Sequence, residues 1–220
     1  MKGFPRRSAW LLALLVVLLP SLLIVLLRRQ VVLEGFQPQQ QGTETAMITQ
    51  LLRGENLQPP PPLPEEIFST EQIRREHPEV VLADRRWQQI HPNLQQRVLA
   101  IHEVMRRQYG YQMVLVEGYR SPERQAELIK RGNATRAGAW QSCHQYGMAA
   151  DSAPIRDGQL QWDMSDEWTR RGYQLYGALA RQAGLEWGGD WLSLKDFVHV
   201  ELAADCKVAR RQRRAALAVR

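Results

Sequence analysis

Residues 94–117 read LQQRVLAIHEVMRRQYGYQMVLVE, and this stretch decides the class of fold. Leu94, Val98, Ile101, Met105 and Tyr109 fall at i, i+4, i+7, i+11 and i+15, one face of a helix. Gly110 follows, and glycine is the usual residue where a helix stops in the left-handed conformation. Tyr111–Glu117 (YQMVLVE) then reads as a buried strand. Downstream, Ser121-Pro122-Glu123 opens another helix, with Ser as cap and Pro in the first turn, running to about Arg131 and stopping at Gly132. A further helix is predicted over Glu167–Ala183, ended by Gly184, and short strands at Met148–Ala153 and Asp196–Leu202. Helices interspersed with short strands, without a βαβ rhythm, predict an α+β domain.

Outward from this domain the chain changes character. Residues 30–75 read as a tether: Gln37-Pro38-Gln39-Gln40-Gln41-Gly42 is low in complexity, and Pro59-Pro60-Pro61-Pro62-Leu63-Pro64 predicts a short polyproline rod. Met47–Leu52 is compatible with a short helix or with none. Ala9–Leu27 (AWLLALLVVLLPSLLIVLL) is a run of 19 residues without charge, long enough to approach the roughly 30 Å of a hydrocarbon core. It exceeds a signal-peptide core, and Arg28-Arg29-Gln30-Val31 offers no small-x-small cleavage pattern. Residues 1–29 are therefore expected to be an uncleaved signal anchor. The slight excess of positive charge before the span places that end in the cytoplasm and the rest outside, periplasmic in a Gram-negative cell. The domain is expected over residues 76–206, with a basic tail at 207–220.

The net charge of +6 suggests a nucleic-acid binder until it is partitioned. Lys2, Arg6, Arg7, Arg28 and Arg29 at one end, and Lys207, Arg210, Arg211, Arg213, Arg214 and Arg220 at the other, have no acids among them. That leaves about −5 for residues 30–206. A basic stripe on the fold is not offered, so no nucleic-acid partner is expected. The tail is expected to be solvated and mobile, touching anionic lipid or wall polymer. Two cysteines exclude a disulfide framework and a Cys-only zinc site.

Two short motifs carry chemistry. In Ser142-Cys143-His144-Gln145-Tyr146-Gly147-Met148-Ala149-Ala150-Asp151, Gly147 lets the chain turn His144 and Asp151 towards one point. In Asp196-Phe197-Val198-His199-Val200-Glu201, a bend near Val198 brings Asp196 and His199 together. Two His and one carboxylate leave a fourth position open on zinc, as catalytic sites do. Zinc-bound water still needs a base, for which Asp196 is the candidate. Taken alone these spacings are equally those of structural histidines. His77, His91 and His102 are assigned to such structural roles.

Four motifs in order strengthen the reading: Gly118-Tyr119-Arg120-Ser121, S-x-H-x-x-G-x-A-x-D at 142–151, Trp187-Gly188-Gly189-Asp190-Trp191, and D-x-x-H-x-E at 196–201. Over roughly residues 90–203 the chain resembles the VanY-type zinc metallopeptidases of bacterial cell walls, and within them the peptidoglycan L-alanyl-D-glutamate endopeptidases. The resemblance implies a small antiparallel sheet with flanking helices holding one zinc ion. It implies His144, Asp151 and His199 as zinc ligands, Asp196 as catalytic acid/base, and Arg120 as the group that polarises the scissile carbonyl. The substrate implied is the stem peptide of peptidoglycan. The chain departs from the family at Cys143, often aromatic there, at Ala153-Pro154, and at Val198, commonly Pro. Asp at the base position and Val before His199 favour the endopeptidase branch over the D-alanyl-D-alanine carboxypeptidases. The rival of another class is a non-catalytic wall-binding module on a tether.

Around the motifs some roles stay open. Arg120 would be a solvated charge outside such a site. Trp187 and Trp191 are divided between core packing and substrate wall, and Glu201 between support of His199 and a structural ion pair. Cys143 and Cys206 could pair in an oxidising compartment, but with their geometry unknown the reading leans to free thiols. The expected protein is a monomeric, single-pass, inner-membrane zinc peptidase with its domain in the periplasm.

Overall fold

A computed structural model describes residues 48–53, 56–131, 138 and 140–218. The expected membrane segment at 9–27, most of the Gln-rich stretch and the Gly132 helix stop lie outside these residues. Among the described residues no helix is long and apolar enough to cross a membrane.

The elements run α1 (Glu71–Glu76), α2 (Pro78–Val81), α3 (Pro92–Tyr109), β1 (Gln112–Glu117), α4 (Pro122–Arg131), β2 (Ala149–Arg156), β3 (Gln159–Leu160), α5 (Glu167–Gln182), β4 (Glu186–Trp187), β5 (His199–Glu201) and α6 (Ala203–Ala218). The strands form one antiparallel sheet, ordered β1-β2-β5-β4, with β3 on the far end of β2. The α+β class and the small antiparallel sheet with flanking helices are as expected.

The helix–glycine–strand reading holds. The apolar face of α3 buries Leu94, Val98, Ile101 and Met105 against β1 and α5, and Gly110 ends it at φ 70°. Fully burying such a side chain contributes about 1.5–3 kcal/mol. Ser121 caps α4 by accepting from the Arg124 N–H at 3.1 Å. α5 is capped by Asp166, whose carboxylate accepts from the Thr169 N–H.

Three expectations change. β5 starts at His199 rather than Asp196, because residues before it form the predicted bend, with the His199 N–H on the Asp196 carbonyl at 3.4 Å. The described part of the expected tether packs on the domain. Ile48, Leu51, Phe68 and Ile73 are buried, and the Gln96 side chain bonds both the N–H and the C=O of Leu57, at 2.8 and 3.0 Å. Apolar residues spaced among the prolines make this docking favourable. Finally, residues 207–218 continue the helix α6 rather than forming a mobile tail. Lys207, Arg211 and Arg214, at i, i+4 and i+7, share its exposed face, while Arg213 turns inward over the Trp140 ring.

Candidate metal centre

β2 and β5 are paired so that Asp151 stands opposite His199. The third residue comes from a 3-10 turn, Cys143–Tyr146, immediately before β2. Gly147 closes that turn at φ 65°, where a Cβ would lie 2.5 Å from the Gln89 carbonyl oxygen, so only glycine fits. His144 is thereby turned back over the strand pair. The two sequence motifs thus meet in space, and all three side chains are buried.

The atoms that face one another are His144 Nε2, Asp151 Oδ1 and His199 Nδ1. Asp151 Oδ1 lies 2.9 Å from His199 Nδ1 and 3.3 Å from His144 Nε2, and the two imidazole nitrogens are 3.3 Å apart. Zinc bonds of about 2.0–2.2 Å at tetrahedral angles set donor atoms roughly 3.3–3.5 Å apart. Two of the three spacings match that range and the third is shorter, and two imidazoles with one carboxylate are a donor set that could hold a metal ion.

The outer nitrogens are held as well. His144 Nδ1 is 2.7 Å from the Gly118 carbonyl oxygen, and His199 Nε2 is 3.1 Å from Glu201 Oε2. Both partners accept, which puts the protons on the outer nitrogens and lone pairs on the inner ones. Glu201 thus supports His199. The Gly118 carbonyl was not among the sequence candidates. A backbone oxygen leaves no side-chain signal, although the Gly-Tyr-Arg-Ser motif contains it. With no metal bound, burial alone would lower the His199 pKa, but hydrogen bonds donated by its ring to the Asp151 and Glu201 carboxylates raise it to about 10. Burial likewise opposes the charge on Asp151, yet the neighbouring His144 and His199 hold it well below the usual carboxylate range.

Around this centre is an open cavity of about 520 Å³. Asp196 lines it from the bend before β5. Its backbone oxygen would be 2.4 Å from a Cβ at Gly188, so the glycine of the Trp-Gly-Gly-Asp-Trp motif admits the bend. Burial first, then the negative charge of Asp151, raises the Asp196 pKa. Arg120 also lines the cavity, but as a buried residue rather than a solvated charge. It pairs with Glu117, donating from Nε at 3.1 Å, and donates to Gln125 Oε1 at 3.1 Å. Glu117 was not singled out in the sequence, where it reads as a strand end.

The tryptophans divide. Trp187 is buried and donates to the Phe197 carbonyl at 2.9 Å, whereas Trp191 walls the cavity with its ring 4.9 Å from His199. His77, expected to be structural, also lies on the cavity wall, stacked on Trp162 at 4.4 Å. His102 is structural as expected, 3.0 Å from Ser152 Oγ. The lean towards free thiols is overturned: Cys143 and Cys206 form a disulfide, with Cα atoms 5.6 Å apart. The packing of α6 against the ligand turn brings them together.

The chain is similar to known proteins. Residues 135–202 match an M15 peptidase family model described as D-alanyl-D-alanine carboxypeptidase. The peptidoglycan L-alanyl-D-glutamate endopeptidase CwlK of Bacillus subtilis (strain 168) is 34% identical over 123 residues, 51% of this chain and 73% of that protein. The crystal structure of the Serratia marcescens L-Ala D-Glu endopeptidase ChiX is 28% identical, with a TM-score of 0.42 over 53% of this chain and 82% of its own. At that identity to CwlK and that coverage of it, the chain belongs to the M15 peptidase family.

Proposed function

We propose that this chain is a zinc-dependent peptidoglycan endopeptidase that hydrolyses the L-alanyl-D-glutamate bond of stem peptides. The observation that carries the reading is the convergence of His144 Nε2, Asp151 Oδ1 and His199 Nδ1 beside an open cavity, in a peptidase family. The printed name of CwlK supports the choice of bond, together with Asp at the base position.

His144, Asp151 and His199 would hold the ion. When bound, zinc supplies Lewis-acid polarisation of a carbonyl and lowers the pKa of water to about 7. Asp196, kept protonatable by its buried position, accepts the proton of the attacking water and delivers it to the leaving amine. The Arg120 guanidinium, oriented by Glu117 and Gln125, stabilises the negative charge that grows on the carbonyl oxygen. Trp191 forms one wall of the cavity beside His199.

The apolar run at 9–27 supports a single-pass anchor in the inner membrane, with the domain in the periplasm. The disulfide supports an oxidising compartment, and the exposed Lys207, Arg211 and Arg214 support contact with an anionic surface.

Mass spectrometry of digested peptidoglycan tests the bond. New N-terminal D-glutamate, without release of free D-alanine, is the expected product. Free D-alanine with no new glutamate amine would instead make the protein a D,D-carboxypeptidase, as the family description reads.

A further inference from the structure

Carboxylates outnumber cationic side chains on the cavity wall by six to three, and a bound zinc ion would offset part of the difference. Glu79, Glu117, Asp151, Glu186, Asp196 and Glu201 all line the cavity. A stem peptide cut before D-glutamate must bring one more carboxylate into this surrounding. Glutamate has two carboxyl groups, and the chain continues through only one of them. The other repels the walls unless a cation receives it.

Three cations line the cavity: Arg120, Lys195 and Arg210. Arg120 is already paired with Glu117. Lys195 gives its Nζ to the Gly189 carbonyl at 2.8 Å. Arg210 differs. It projects from α6, two turns after β5, and its guanidinium rests on the disulfide: Nε is 3.2 Å from Cys206 Sγ and Nη2 is 2.9 Å from Cys143 Sγ. Sulfur is a weak acceptor, so these contacts orient the fork without neutralising it. Among the described residues no carboxylate lies within ion-pair distance of Arg210, although its charge is felt by Glu201, whose carboxyl it helps to hold low. A guanidinium held in this way is suited to a bidentate carboxylate contact. It is also placed for one, because it lines the same cavity as His144, Asp151 and His199.

We propose that Arg210 is a specificity residue that receives the free carboxylate of the acidic residue following the scissile bond. The inference rests on the endopeptidase reading above. It also gives the disulfide a second task, since the bond that anchors the ligand turn then carries the substrate-reading arginine.

The test uses the full-length, zinc-loaded protein in detergent and two synthetic stem peptides. One has D-glutamate with its free carboxylate, and the other has the same residue amidated. The wild type is expected to prefer the free acid, chiefly through KM. Arg210→Gln should lower kcat/KM on the free acid by about 10–100-fold, the range of a lost charge-assisted contact, and leave the amidated peptide nearly unchanged. Arg210→Lys should keep part of the preference. Equal losses on both peptides, or a wild type that does not discriminate, would overturn the role of Arg210 while leaving the endopeptidase intact. A wild type that cuts neither peptide before the D-glutamyl residue would overturn the endopeptidase reading and the inference with it.

Discussion

His144 Nδ1 lies 2.7 Å from the carbonyl oxygen of Gly118, 26 residues earlier in the chain. That contact sets the tautomer of His144 and leaves Nε2 facing Asp151 and His199. His144→Ala or His199→Ala removes one of three donors, so both should lose bound zinc and activity together. Metal analysis of each purified variant is the check, and one zinc per chain in either would sink the ligand assignment.

Asp196→Asn keeps the shape of the side chain but cannot carry a proton. Activity should fall by about 10²–10⁴-fold with zinc retained. Burial and the Asp151 charge raise the Asp196 pKa, and a base works deprotonated. The wild-type rate should therefore fall as pH drops through that raised pKa, and this limb should vanish in the variant. Loss of metal on substitution would make Asp196 a ligand instead.

His102 packs between Trp87 and Tyr176, and burial lowers its pKa to about 3. The unfolded chain takes up a proton near pH 6.5, whereas the folded one does not until about pH 3. Stability contributed above pH 6.5 is thus lost on acidification, by about 1.4 kcal/mol per pH unit across that window. Urea unfolding at pH 7 and pH 5 should show a shallower pH dependence for His102→Gln than for wild type. Parallel slopes would mean that His102 is charged in the folded protein.

The Cys143–Cys206 disulfide closes a loop across 63 positions. In the chain-entropy model a loop of this size contributes about 4 kcal/mol. A Cys143→Ala/Cys206→Ala double variant should melt at a clearly lower temperature and bind zinc more weakly, because His144 follows directly on Cys143. Unchanged melting and zinc affinity would show that packing of α6 alone holds the ligand turn.

Much of this protein is written locally in its sequence. Helix α3, its Gly110 stop and strand β1 follow from periodicity and from a glycine at positive φ, which nearest neighbours decide. His144, Asp151 and His199 were named together through the family resemblance, since their spacings alone suit structural histidines equally well; the fold brings the three into one cluster. What remained open depended on which surfaces meet once the sheet has closed. Cys143 and Cys206 pair because α6 packs on the ligand turn, and no spacing along the chain encodes that approach. Trp187 and Trp191, four residues apart, share a motif but not a fate: one is roofed by the core and the other is left at the cavity. Residues 30–75 read as a tether because of the Gln-rich stretch at 37–42 and the proline run at 59–64, yet the burial of Ile48, Leu51, Phe68 and Ile73 follows from a complementary face elsewhere on the fold. Arg210 reads as one of six basic residues near the chain's end. Only the packing of α6 brings its guanidinium to the cavity, because burial, unlike backbone preference, is a property of the assembled chain.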